Sequence, residues 1–190
     1  MKVALITGAS SGIGMEAAKI FVSNGFRVYG AARRVERMQP LEAMGVQVLP
    51  LDVTDDDSMQ RCVQTLLSRE GRIDVLVNNA GYGFFGAVED VPLSDARHQL
   101  EVNLFGMGRM VQLVLPTMRA QHSGRIINVA SLAGRLHIPF GAWYHATKFA
   151  VEGWSDALRY EVHPFGIDVS IIEPGGIHTD WGLIAADHLQ

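Results

Sequence analysis

Cysteine is nearly absent from this 190-residue sequence: Cys62 stands alone, which excludes an internal disulfide and fits a reducing compartment. Its surroundings read as helix, so it is a packing residue rather than a reactive thiol. Excess charge is absent too: 16 Lys and Arg face 20 Asp and Glu, a net charge of −4, which gives no footprint for nucleic acid or an anionic membrane. The 7 histidines show no paired ligand spacing, so no metal site is expected. The longest apolar region, Val102 to Met118, is broken by Asn103, Arg109, Gln112 and Pro116, so no membrane span is expected. The first apolar run is too short for a signal peptide and opens straight into glycines, which leads to an expectation of a cytoplasmic protein. There is no repeat, low-complexity segment or linker, so residues 1–190 are expected to form one domain.

What is present alternates between two periodicities. Short β-branched runs at 2–6, 27–31, 46–51, 73–78, 125–129 and 168–173 read as buried parallel strands. Helical patterns lie near 15–23, 34–44, 55–70, 94–121 and 142–163. Asp52 to Asp57 supplies an N-cap and an acidic first turn for the third of these helices. Alternation of this kind predicts an α/β fold, a doubly wound parallel sheet of the Rossmann type.

Two constellations carry chemistry. The first strand runs directly into Thr7-Gly8-Ala9-Ser10-Ser11-Gly12-Ile13-Gly14 and then a helix. Glycines in a strand–turn–helix context let the backbone approach a pyrophosphate, and the helix N-terminus offers free N–H groups. A tight turn with glycines for steric reasons is the alternative. The second is Tyr144-His145-Ala146-Thr147-Lys148, which puts a phenol and an ammonium on one helix face. Lowering a tyrosine from about 10 to about 7 takes roughly 4 kcal/mol. A positive charge about 4 Å away, at an effective dielectric near 20, supplies about that much. Ser131 ends an apolar strand at its C-terminal edge, where ligands bind in such sheets, and Asn103 is a lone amide in Leu100–Phe105. Asn103 is open to a second reading as a buried amide that satisfies backbone.

The ordered set resembles the short-chain dehydrogenase/reductase family, in its single-domain branch, from the glycine loop to Pro174-Gly175. The resemblance implies that Gly8, Ser10, Ser11, Gly12, Ile13 and Gly14 hold a cofactor diphosphate. It implies that Asn79, Ala80 and Gly81 stand beside the adenosine ribose, and that Asp52 and Val53 meet the adenine. By the same resemblance Asn103, Ser131, Tyr144 and Lys148 form the active site. Tyr144 is then the acid for carbonyl reduction and the base for alcohol oxidation, and Ser131 holds the substrate oxygen. Lys148 lowers the Tyr144 pKa and bonds the nicotinamide ribose. The helix bends at Asn103 to hold a proton-relaying water. Pro174, Gly175 and Thr179 meet the nicotinamide.

Cofactor choice turns on another absence. An NAD-preferring site needs a carboxylate at the end of the second strand, and none occurs before Glu36; Arg33 and Arg34 stand there instead. Arg33 can fork onto a 2′-phosphate, so NADP(H) is expected and NAD is less favoured, with a solvated surface pair as the alternative. Tyr82, Phe84, Phe85, Leu132, His137, Ile138, Phe140, Trp143, Ile177 and Trp181 are expected to flank the substrate. They suit a small, largely apolar carbonyl or alcohol, steroid-, retinoid- or aryl-like. Helices 94–121 and 142–163 are apolar around more than one face, which predicts a homodimer or homotetramer.

Relatives in the family continue past the equivalent of Gln190, so the last strand and helix are expected to be missing from this sequence. A chain with residues beyond Gln190 is favoured over a truncated product, because a missing edge strand exposes unpaired backbone. The rival function is a catalytically weak NADP(H)-binding or regulatory module. A third, an epimerase or dehydratase, is less favoured because such relatives carry a larger substrate domain.

Overall fold

The computed structural model describes residues 1–177. Thr179 and Trp181 lie outside the described residues. Six strands form one wholly parallel sheet in the order β3-β2-β1-β4-β5-β6: β1 (Val3–Thr7), β2 (Arg27–Ala32), β3 (Gln47–Pro50), β4 (Val75–Asn78), β5 (Gly124–Val129) and β6 (Ile167–Ile172). Every strand pair is parallel, and β1 sits between β2 and β4, where the order of winding reverses. The sheet is doubly wound, as the alternation predicts.

Period-two alternation sorts the side chains of β1 onto two cores. Val3 and Leu5 face α3 (Asp56–Glu70), α5 (Gly106–Gln121) and α6 (Ala142–Val162), with Leu66, Met110, Val114 and Leu158 around them. Ala4 and Ile6 face the other way, against Ala18 of α1 (Gly12–Ser23) and Leu41 of α2 (Gln39–Glu42). Both faces of β1 are covered, so this strand reads as a continuous apolar run.

Three expected helices differ in detail. The first begins at Gly12 rather than Met15, so the glycine loop is shorter than the sequence suggests. The pattern over 34–44 divides into a 3₁₀ turn, Val35–Met38, and α2. Pro40 is the cause: it has no N–H to give to the preceding turn, and its ring crowds that turn. Residues 94–121 divide into α4 (Leu93–Leu100), a π-helical segment (Glu101–Phe105) and α5. The cap of α3 is Asp55, which accepts from Asp57 N–H at 3.0 Å and Ser58 N–H at 3.3 Å. Asp52 instead makes a local turn, accepting from the Thr54 backbone at 2.9 Å and hydroxyl at 2.7 Å.

A polar chain crosses the interior. Asn78 Nδ2 of β4 donates to Asn128 Oδ1 of β5 at 2.9 Å, and Asn128 Nδ2 donates to Ser155 Oγ of α6 at 2.8 Å. All three side chains are buried. Among the described residues no helix is long and apolar enough to cross a membrane, and no cluster of three or more His, Cys, Asp or Glu side chains is arranged to hold a metal.

Candidate active site

The C-terminal ends of β1, β2, β4 and β5 and the segment after β6 open onto one cavity of about 410 Å³. Gly8, Ser10, Ser11, Gly12 and Ile13 line it from the first turn, and Arg33, Arg34, Asp52 and Val53 from the second and third strand ends. Asn79, Ala80 and Gly81 follow β4; Ser131, Tyr144, Lys148, Pro174 and Gly175 complete the wall. Gly14 and Asn103 stand behind the lining.

The glycine loop is fixed from below by a residue to which the sequence assigns no role of its own. Thr7 Oγ1 accepts from the backbone N–H of both Asn79 and Ala80 at 3.0 Å and donates to Val77 O at 3.4 Å. Asn79 Nδ2 returns the contact, donating to Thr7 O at 3.1 Å and Gly8 O at 3.3 Å. Gly8 is left-handed at φ +67°, a conformation that favours glycine. A Cβ at Gly14 would stand 2.4 Å from Asn79 Nδ2 and 2.5 Å from Gly8 O, so this glycine is required for close packing. These contacts aim the start of α1 at the cavity. Ser11, its N-cap, is extended and makes no side-chain cap, which leaves the first-turn donors open to an anion. The site therefore fits a dinucleotide diphosphate. Arg33 and Arg34 are exposed at its far end, and neither forms an ion pair among the described residues. Burial pushes the Asp52 carboxyl up, but bonds from Thr54 and the charges of Arg33 and His98 hold it below the usual range.

At the other end, Ser131 follows β5 and caps a 3₁₀ turn, Leu132–Gly134. Its Oγ accepts from Ala133 N–H at 3.1 Å and lies 3.5 Å from Pro174 O. Tyr144 is in the first turn of α6, buried, and hydrogen-bonded to Ser131. Its pKa departs from the sequence expectation. Burial pushes the phenol up, with only the Ser131 bond opposing. The reason is the direction of the lysine. Lys148 Nζ donates to Val129 O at 3.0 Å and stands 5.8 Å from the centre of the Tyr144 ring. Burial pushes the Lys148 ammonium itself down to about 8, with Glu152, one turn further along α6, opposing.

The Asn103 amide satisfies backbone, as its second reading has it. Its Oδ1 accepts from Tyr82 N–H at 3.0 Å, while Nδ2 donates to Tyr82 O at 2.9 Å and Thr147 Oγ1 at 3.2 Å. The widened π turn brings the amide to this position and fixes the segment after β4 against α6. Of the expected substrate wall, Tyr82 and Ile177 line the cavity, and the Phe85 ring lies 5.3 Å from that of Tyr144. Leu132, Ile138 and Phe140 are 45%, 62% and 60% exposed on the neighbouring loop.

Buried charge beside the site escapes a reading of sequence alone. Arg135 Nη2 lies 2.9 Å from Glu152 Oε2 and 3.0 Å from Glu173 Oε1, tying the loop after Ser131 to α6 and to the end of β6. The Glu152 carboxylate is buried without an aligned hydrogen-bond donor among the described residues, and burial pushes its pKa up. Helical spacing from Lys148 is the one signal that could have found it.

Comparison with known proteins agrees with this architecture. The family model for short chain dehydrogenase matches residues 2–185. A 3-ketodihydrosphingosine reductase from Bacteroides thetaiotaomicron is 44% identical over 179 residues, covering 94% of this chain and 65% of the relative. A 17-beta-hydroxysteroid dehydrogenase type 1 from Mus musculus is 43% identical over 192 residues, covering 93% of this chain and 54% of the relative. The crystal structure of a variant actinorhodin polyketide ketoreductase with NADPH superposes with a TM-score of 0.93 at 34% identity, covering 98% of this chain and 75% of that one. With the sheet order, the glycine turn and the ordered Ser, Tyr and Lys in one cavity, these matches place the chain in the short-chain dehydrogenase/reductase family.

Proposed function

We propose that the chain forms the cofactor-binding and catalytic part of an NADP(H)-dependent oxidoreductase that interconverts a carbonyl and an alcohol on a small, largely apolar substrate. The observation that carries this reading is the placement of Ser131, Tyr144 and Lys148 on the wall of the cavity that the open N-terminus of α1 enters. The nicotinamide supplies hydride to a carbonyl carbon, or takes it from an alcohol. Ser131 holds the substrate oxygen: its Oγ accepts from Ala133 N–H at 3.1 Å, and its hydroxyl, 3.5 Å from Pro174 O and bonded to Tyr144, turns to the substrate oxygen when one is bound. Tyr144, raised by burial, stays protonated at neutral pH and is the acid in the reductive direction. Lys148, anchored on Val129 O, would hold the nicotinamide ribose of a bound cofactor, and Asn103 ties Tyr82 to Thr147 beside it in α6.

NADP(H) over NAD is supported by Arg33 and Arg34 at the end of β2 and by the NADPH held by the related ketoreductase. An apolar substrate is supported by the exposed Leu132, Ile138 and Phe140 on the loop between Ser131 and Tyr144, and by relatives named for hydroxysteroid and ketosphingoid chemistry. A cytoplasmic location is supported by the free, buried Cys62. A homodimer or homotetramer is supported by Phe105 and Phe149, which are 57% and 47% exposed beside and on helices α5 and α6.

Fluorescence titration with NADPH and NADH, followed by reduction assays on apolar ketones, tests the reading. Tyr144→Phe should bind NADPH like the parent and lose nearly all turnover, about a thousandfold or more. A parent that binds NADPH tightly yet reduces no ketone favours the binding module; one that binds neither nucleotide overturns the reading.

A further inference from the structure

His145, next to Tyr144, plays no part in the chemistry above, yet its ring is the meeting point of the loop that follows Ser131. Ile138 N–H donates to Nε2 at 3.0 Å, and Nδ1 is 2.9 Å from Ala133 O. An accepting Nε2 requires the proton on Nδ1, so the neutral ring bonds both ends of one six-residue span, accepting at one and donating at the other. Residues 135–140 between these tethers and α6 are all exposed, and Leu136, Ile138 and Phe140 present apolar side chains that are 61%, 62% and 60% exposed.

Three further observations show that the span is held in one shape. Phe140 sits at φ +63°, a conformation that costs a side-chain-bearing residue energy and persists only where neighbours impose it. Its carbonyl accepts from Gly86 N–H at 2.8 Å, joining the span to the segment after β4. Gly141 has an ordinary backbone at φ −106°, but a Cβ there would stand 2.7 Å from His145 Nε2 and 3.1 Å from a Phe85 ring carbon. The imidazole therefore fills the space that a side chain at Gly141 would need.

We infer that His145 is a positioning residue: its two ring nitrogens clamp residues 133–138 so that Ile138 and Phe140 form a preset apolar wall on the loop leading to Tyr144, and the clamp sets affinity for large apolar ketones. This rests on the proposed oxidoreductase activity and deepens it. A preset wall binds more tightly because the loop is already ordered before the substrate arrives.

The test uses the whole chain with NADPH, α-tetralone as a large apolar ketone, and hydrogen exchange at the Ile138 amide. His145→Ala and Gly141→Ala should each free that amide and raise the KM for α-tetralone about tenfold, the size of one lost hydrogen bond, with kcat and NADPH affinity nearly unchanged. His145→Gln, whose amide oxygen can accept from Ile138 N–H, should recover part of the loss. The double variant should be no worse than either single one, since both remove the same clamp. Parallel loss of kcat and NADPH affinity would mean a scaffold role only and overturn the inference. So would an unchanged KM once the Ile138 amide exchanges freely. If NADPH binds but the parent neither binds nor reduces α-tetralone, the wall is not a substrate surface, while failure of NADPH binding itself strikes the oxidoreductase reading instead.

Discussion

Lys148 shows how a single side chain is set against the stability of its own fold. Held at about 8 instead of 10.5, its ammonium bears about 3 kcal/mol of burial penalty. The unfolded chain keeps that proton up to about 10.5 and the folded one only to about 8, so this group makes stability rise with pH across that interval; below it the penalty stands in full. Lys148→Met should therefore melt higher than the parent at pH 7, by about 4–8 °C after the bond to Val129 O is lost, while turnover disappears. The gap should close within that interval and reverse by pH 10.5, where the parent has shed the penalty but keeps its bond to Val129 O, and thermal scans at the two pH values check it; a lower melting point at pH 7 would refute the account. On the proposed function Arg33 works through the cofactor instead. It carries an exposed guanidinium with no ion-pair partner among the described residues, so Arg33→Ala should weaken NADPH binding about 10- to 100-fold and leave NADH binding little changed. Equal losses for both nucleotides would remove the case for a 2′-phosphate contact.

At the scale of elements, the π segment Glu101–Phe105 is where the fold spends hydrogen bonds on the site. Asn103→Leu would leave the Tyr82 N–H and C=O unpaired, an expected loss of about 2–4 kcal/mol, read as a lower urea midpoint at an unchanged slope. The same segment marks the limit of legibility. Strands such as Val3–Thr7 and Val75–Asn78 announce themselves because a strand buried on both faces needs a near-continuous apolar run. The Tyr144–Lys148 pair is visible because four residues on a helix is a local spacing. Five residues of widened helix leave no periodic trace, so 94–121 reads as one helix. The direction of Lys148 Nζ is not local either: Val129 O lies 19 residues away, and nothing in the heptad around Tyr144 specifies it. Thr7 and Asn79 are 72 residues apart, and the bond between them shows only once the β1–β4 pairing brings them together.

For the molecule as a whole, the surface states the next expectation. Phe105, Phe149 and Tyr160 are 57%, 47% and 83% exposed, a concentration of aromatic area beside and on α5 and α6 that a solitary domain has little reason to keep. Sedimentation of the parent chain should give a dimer or tetramer, and Phe149→Glu should shift it towards lower mass; a parent that sediments as a monomer at micromolar concentration would count against the interface. The interior holds a different kind of information. Strands built of valine, leucine and isoleucine can slide past one another with little loss of contact, so apolar packing alone discriminates poorly between neighbouring alignments of β4 and β5. Asn78 and Asn128 face each other across that pair, and Ser155 completes the chain. A slip of one residue would turn an amide towards the opposite core and strand its partner among hydrocarbon. Those few polar atoms therefore work as a key for one join of the sheet: they disfavour a slipped β4–β5 pair and favour the alignment that carries Val129 and Ser131 to Lys148.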